Sequence, residues 1–270
     1  MAIVNRTPDS FYDRGATFHE EAALRAVAER VAEGADIIDI GGVKAGPGPD
    51  VDAGEEIRRT VGFIAEVRSR HPDVVISIDT WRAEVAERAV AAGADLINDT
   101  WAGADPDLCR VAADTGAGLV CSHAGGLAPR YRPHRVAYAD VVADAVSTVA
   151  RLAERAHELG VRPDGILVDP THDFGKNTYH SLELTRRLDE MAATGWPVLV
   201  ALSNKDFIGE TLDLPVDQRL EGTLAATSIC AWLGARVFRA HQVRQTRQVL
   251  DMVASIRGDR PPAVARRGLA

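Results

Sequence analysis

Three segments of the chain share one pattern: Gly34-Ala35-Asp36-Ile37-Ile38-Asp39-Ile40, Gly93-Ala94-Asp95-Leu96-Ile97-Asn98-Asp99 and Gly234-Ala235-Arg236-Val237-Phe238-Arg239-Ala240. Each follows an alanine-rich stretch whose apolar residues recur at helical spacing. Self-similarity of this kind means a repeated supersecondary unit. The glycine suits the left-handed turn that ends a helix, and the apolar run after it suits a strand buried on both faces. The unit therefore reads helix, turn, parallel strand. Scanning for it gives eight candidate strands, near residues 2–5, 36–41, 74–79, 95–99, 118–122, 165–169, 197–202 and 236–240, with helical segments such as 20–33 and 138–159 between them. Eight βα units with right-handed crossovers predict an α/β fold, a (β/α)8 TIM barrel, as a single domain over residues 1–257 with a Pro-, Arg- and Gly-rich tail over 258–270. A doubly wound sheet fits less well, because there is no Gly-x-Gly-x-x-Gly turn. Met1 lies almost inside the first strand, so a short native extension before it is expected.

Composition narrows the partners. A formal charge of -8 with scattered arginines leaves no basic stripe for a phosphate backbone, so no nucleic acid is expected. The three cysteines, Cys109, Cys121 and Cys230, are odd in number and widely spaced, which argues against zinc and disulfides and for a reducing, cytoplasmic setting. There is no long apolar run and no signal-peptide pattern, so neither a membrane span nor export is expected.

In a barrel of this kind the active site lies at the C-terminal mouth of the strands, so the residues that end each apolar run matter most. They are consistently polar: Asn5, Asp39, Asp79, Asn98 with Asp99, His123, Asp169, Ser203-Asn204-Lys205, and Arg239 with His241. Some of these are expected to be structural. If Asn98 points inward, alternation turns Asp99 away; Asp39 suits a scaffold role, and His123 suits a hydrogen-bonded core position. Asp79, Asn98 and Asp169 offer donors and acceptors for a flat heterocycle such as a pterin or a guanine, with Lys205 placed to cap another edge. Arg239 and His241, at i and i+2, face one side of the eighth strand, and Asn5 follows across the closed barrel. That trio suits an anion or a metal-bound diphosphate, so the whole set suggests a substrate with a diphosphate leaving group.

These residues resemble the dihydropteroate synthase family of pterin-binding barrels, over essentially the whole chain. The resemblance runs from Asn5-Arg6-Thr7-Pro8-Asp9-Ser10-Phe11, through Gly41-Gly42, Ser77-Ile78-Asp79-Thr80, Ile97-Asn98-Asp99, Asp169-Pro170, Phe174-Gly175-Lys176 and Ser203-Asn204-Lys205, to Arg239-Ala240-His241. It implies a transferase that condenses dihydropterin pyrophosphate with p-aminobenzoate and releases pyrophosphate with the help of Mg2+, by a dissociative route through a pterin-methyl cation. It implies pterin contacts at Asp79, Asn98, Asp169 and Lys205, with Asp79 and Lys205 as catalytic groups and Asp79 steadying the developing positive charge. The diphosphate falls to Asn5, Arg239 and His241, with Asn5 on the Mg2+ side. A homodimer through outer helices is implied as well, with Ile229, Ala231, Trp232 and Leu233 on a candidate face.

The departures from the family pattern gather on the acceptor side, to which the resemblance assigns Lys44, Phe174 and Asp206. Val43-Lys44-Ala45-Gly46-Pro47-Gly48 stands where the family has Glu-Ser-Thr-Arg-Pro-Gly, so hydroxyl and arginine side chains are lost. Thr171-His172-Asp173 replaces a glycine-containing turn, which predicts a different loop geometry. Asp206 replaces a serine near the p-aminobenzoate carboxylate, which predicts repulsion between like charges. Asp13 is retained, and Arg14 after it offers one positive charge in return. The leading expectation is an active synthase with compensating loops. The alternatives are a paralogue that binds pterin or its diphosphate without turnover, and a relative that uses a different acceptor; a folate-dependent methyltransferase fits least.

Overall fold

The computed structural model describes residues 1–8, 17, 19–131 and 135–268. Its eight parallel strands are β1 (Ala2–Asn5), β2 (Ile37–Gly41), β3 (Val75–Asp79), β4 (Leu96–Asp99), β5 (Gly118–Ser122), β6 (Ile166–Asp169), β7 (Leu199–Ala201) and β8 (Val237–Arg239). Each lies within a residue or two of where the sequence places it. The helices around them are α1 (Glu20–Ala32), α2 (Ala53–Arg70), α3 (Ala83–Ala91), α4 (Leu108–Thr115), α5 (Val141–Glu158), α6 (Thr178–Arg186), α7 (Leu188–Ala192), α8 (Asp206–Leu212), α9 (Leu220–Trp232) and α10 (Val243–Arg257).

Strands β1 to β6 form one sheet in chain order and β7 pairs with β8. Single bridges, Val168 to Val198 and Ala2 to Ala240, join the two pieces at both seams and close the ring. The shared glycines do what the repeat requires: Gly34, Gly93 and Gly234 have φ of 95°, 115° and 110°, a conformation that a side chain resists. Helix starts are also set by sequence. Asp52 accepts from the backbone N–H of Glu55 at 2.7 Å ahead of α2, and Asp140 accepts from Val142 and Ala143 at 2.9 and 3.0 Å ahead of α5.

Alternation along the strands sorts the side chains into two layers. Ile38, Ile40, Ile76, Ile78, Ile97 and Val168 pack outward against helix residues such as Phe63, Ile64, Val149 and Leu184. Inside the barrel, Leu96, Val120 and Leu199 pack with Met1, Leu167 and Val237. The inward positions one step further along are mostly polar, with Gly41 and Ala201 among the exceptions. Strand register brings these to a common height: Asn5 pairs with Gly41, Gly41 with Asp79, Asp79 with Asn98, Ser122 with Asp169, and Ala201 with Arg239. Helix α10 ends at a left-handed Gly258, and residues 259–268 are exposed. Among the described residues no helix is long and apolar enough to cross a membrane.

Candidate active site

All of the site residues expected from the sequence except Asn5 line one cleft of about 170 Å3 at the mouth: Lys44, Asp79, Asn98, Asp169, Phe174, Lys205, Asp206, Arg239 and His241. Asn5 lies beside it. A Cβ built on Gly41 would sit 3.7 Å from Asn5 Oδ1 and 3.6 Å from Asp79 Cβ, so the bare Gly41 lies between these two side chains. Its neighbour Gly42 serves packing, since a Cβ there would meet Thr60 Cγ2 at 2.8 Å and Glu56 Cγ at 3.0 Å on α2.

At the centre is the Arg239 guanidinium. Its Nε donates to Asp39 at 2.6 Å and its Nη2 to Asp79 at 2.8 Å. Asp39 is fully buried and accepts further from Ser77 Oγ at 2.6 Å and Asn98 Nδ2 at 3.3 Å, so this scaffold carboxylate orients both Asn98 and Arg239. Asp79 also accepts from Thr100 Oγ1 at 3.2 Å. Burial pushes the Asp79 carboxyl up to about 7; the Arg239 charge opposes the shift and the Asp39 charge adds to it. Burial alone would lower the Arg239 pKa, but its two carboxylate partners outweigh that and raise it. Two of the Arg239 nitrogens, Nε and Nη2, are thus engaged by the Asp39 and Asp79 carboxylates. His241 is held neutral, its pKa lowered to about 3 by burial and then by the Arg239 charge.

Across the mouth, Asp169 is buried, accepts from the N–H of Thr171 at 2.7 Å, and has its pKa raised by burial against the pull of Lys205. The Lys205 ammonium donates to the carbonyl of His172 and lies 4.9 Å from the Phe174 ring centre. Phe174 in turn meets Trp101 edge to face at 5.2 Å.

The β6–α6 loop carries side chains at left-handed positions. Thr171 and Asp173 occupy two glycine positions of the family pattern and have φ of 51° and 70°, with Gly175 at 63°. The backbone thus takes the left-handed conformations that glycine favours, although two of the residues carry side chains. Bonds over-determine the strained turn: Thr171 Oγ1 donates to Asp169 O at 3.0 Å, and Asp173 Oδ2 accepts from the N–H groups of Asp206 at 2.7 Å and Phe207 at 3.3 Å.

Asp206 has a cation beside it. Its carboxylate meets Arg219 Nη1 at 3.0 Å, and the same nitrogen donates to Asn204 O at 3.0 Å, so much of the negative charge is compensated within the protein. Asn204 has φ 56°, a conformation that asparagine tolerates.

Asp99 and His123 sit in the structural positions the sequence suggested, and Lys176, for which it suggested none, is also engaged within the fold. Asp99 turns away from the mouth and accepts from the N–H groups of Trp101 and Gly103 at 3.0 and 2.6 Å. His123 is buried against Asp144 at 2.7 Å, outside the cleft. Lys176, part of a family motif, donates to three carbonyls, His123, Thr171 and Phe174, at 2.7, 3.1 and 2.9 Å, and so ties β5 to the β6–α6 loop. Ser203, expected at a strand end, lines the cleft, and so do Thr100 and Asp173, which strand position did not single out. Asp13 and Arg14 lie outside the described residues. A second cleft of about 530 Å3 adjoins the first and shares Ala45, Asp173, Phe174 and Asp206 with it.

Comparison with known proteins agrees with this arrangement. The sequence pattern of the family described as pterin binding enzyme matches residues 1–241. A Mycobacterium leprae protein named inactive dihydropteroate synthase 2 is 62% identical over 274 residues, covering 100% of this chain and 94% of its own. The dihydropteroate synthase of Bacillus subtilis is 38% identical over 255 residues, covering 94% of this chain and 86% of its own. The crystal structure of the Yersinia pestis synthase in a sulfonamide drug complex superposes with a TM-score of 0.90 at 33% identity, covering 96% of this chain and 94% of that one. The chain belongs to the pterin-binding enzymes, as a divergent paralogue in the dihydropteroate synthase family.

Proposed function

We propose that the barrel mouth binds dihydropterin pyrophosphate, and that this transferase has kept the pterin half of the family site while losing efficient use of p-aminobenzoate. One observation carries the reading. Asp39, Asp79, Asn98 and Arg239 form a single hydrogen-bonded network at the pterin side, whereas the acceptor side is walled by the carboxylates of Asp173 and Asp206. The names of the relatives fit it: the one at 62% identity is called inactive and the one at 38% is called a synthase.

In this reading Asp79, Asn98, Asp169 and Lys205 hold the pterin by its polar edge, and Asp79 steadies positive charge as the diphosphate departs. Asn5, Arg239 Nη1 and His241 face the leaving diphosphate. Among the described residues no three His, Cys, Asp or Glu side chains gather to hold a metal ion. Asn5 offers one amide oxygen, which fits an Mg2+ that arrives on the substrate and takes its remaining ligands from diphosphate and water. When bound, that ion would neutralise the leaving group. A Xanthomonas albilineans synthase is solved with 4-aminobenzoic acid, and Phe174, Asp206 and Lys44 are the residues that would face such an acceptor here.

A second reading, an active synthase, is favoured by the Arg219–Asp206 ion pair, which removes part of the repulsion toward a carboxylate. We further propose a homodimer, because Ile229, Trp232, Met252 and Ile256 on α9 and α10 are 49 to 61% exposed, and a cytoplasmic setting, because all three cysteines are free thiols. Pyrophosphate release from dihydropterin pyrophosphate, followed with and without p-aminobenzoate, tests the reading. Release that p-aminobenzoate barely stimulates is expected; release at ordinary family efficiency would favour the active synthase.

A further inference from the structure

The turn after β4 carries three consecutive residues with three different partners. Asp99 anchors it: its carboxylate accepts from the N–H groups of Trp101 and Gly103, while Ala102 and Gly103 take φ of 57° and 77°. The buried Trp101 ring meets Phe174 edge to face. Between them Thr100 lines the smaller cleft together with Asp79, Asn98 and Asp169, and its Oγ1 donates to Asp79 Oδ1 at 3.2 Å. The other oxygen of Asp79, Oδ2, accepts from Arg239 Nη2 at 2.8 Å.

A carboxylate turns easily about the last torsion of an aspartate side chain, whose wells are broad. A bond to one oxygen fixes that oxygen and leaves the plane of the group loose. A bond to each oxygen fixes the plane. We propose that Thr100 is a positioning residue of the pterin site, its hydroxyl setting the plane in which the Asp79 carboxylate receives the heterocycle. The inference rests on the proposed pterin reading of this site. An ionised carboxylate offers about four lone-pair positions, so with one taken on each oxygen the others are left for N–H groups of the ring. Those N–H groups lie in the plane of the ring. A carboxylate turned out of that plane meets them at poor angles, where hydrogen bonds weaken steeply. Fixing the plane in advance also removes an ordering cost that would otherwise fall on binding. Asp99 contributes at one remove, by holding the turn that presents Thr100 to Asp79.

The test uses the full chain with Thr100→Val, which keeps the shape of the side chain, Thr100→Ala, and Thr100→Ser, which keeps the hydroxyl. In calorimetric titrations with dihydropterin pyrophosphate and Mg2+, the valine and alanine variants should bind about tenfold more weakly than the wild type, the loss expected for one hydrogen bond. The serine variant should stay within about twofold of the wild type. Crystal structures without ligand should show the Asp79 carboxylate in one orientation in the wild type and the serine variant. In the valine and alanine variants it should be rotated about its bond to Arg239. Wild-type affinity in the valine or alanine variant would overturn the proposal, and so would an Asp79 carboxylate that keeps its orientation without the hydroxyl. A serine variant as weak as the valine one would also overturn it, since the methyl group rather than the hydroxyl would then carry the effect. A wild type that fails to bind dihydropterin pyrophosphate would instead overturn the pterin reading, and the ligand-free structures would still decide whether Thr100 orients Asp79.

Discussion

Replacing Asp79 by asparagine should flatten the pH dependence of stability. In the folded protein its carboxyl titrates at about 7 against 3.8 for an unperturbed aspartate, because burial disfavours the anion more than Arg239 at 2.8 Å restores it. A carboxyl raised in this way binds its proton more tightly in the folded state. Its stabilising contribution is therefore complete below about pH 4 and is lost as the pH rises through about 7. Three pKa units correspond to about 4 kcal/mol at full effect; the side chain is 22% exposed, so about 2 to 4 kcal/mol is expected between pH 4.5 and 8. Lys176 works the other way, since burial lowers its amine to about 7 and its contribution grows as the pH rises above that. Urea unfolding of both proteins at pH 4.5 and 8 gives a double difference in which Lys176 and the other groups cancel. The wild type should lose about 2 to 4 kcal/mol more than Asp79→Asn over this interval. Equal losses would refute the assignment of a raised carboxyl to Asp79.

Other substitutions probe the packing and the two halves of the site. Gly42→Ala forces a Cβ to within 2.8 Å of Thr60 Cγ2, so urea unfolding should show a loss of about 1 to 3 kcal/mol; unchanged stability would mean that α2 yields freely. Asp169→Ala should abolish measurable pterin binding by calorimetry, at about 1 to 3 kcal/mol for each hydrogen bond left unmade, and unchanged affinity would remove Asp169 from the pocket. Asp206→Ser should raise p-aminobenzoate affinity by less than about threefold, because Arg219 already compensates a carboxylate that is 59% exposed. A tenfold gain would show that the ion pair compensates little.

The fold was legible because its signal is local and repeated. Gly34, Gly93 and Gly234 mark helix ends by backbone conformation alone, and the apolar runs after them mark strands that no other unit explains. The site was legible to the extent that position on a strand decides it. Inward alternation carried Asp79, Asn98 and Arg239 to one mouth and turned Asp99 away from it. What strand position cannot convey is pairing between side chains far apart in the chain. That Arg239 would serve Asp39 and Asp79, 200 and 160 positions away, depends on barrel closure. The compensation of Asp206 by Arg219 and the capping of α8 by Asp173 depend on loops, where neither period 2 nor period 3.6 applies. The substituted glycines signalled change at Thr171 and Asp173, yet the strain is absorbed by hydrogen bonds to Asp169, Ser181 and α8, which sequence spacing does not reveal.

The central claim is a retained pterin half beside an acceptor half that disfavours p-aminobenzoate. Its most direct test is a calorimetric titration of the protein with dihydropterin pyrophosphate and Mg2+, repeated in saturating p-aminobenzoate. Saturable one-to-one binding, with the same heat in both titrations, is the predicted result. Absence of saturable binding would contradict the pterin half, and sustained heat of turnover once p-aminobenzoate is present would contradict the acceptor half.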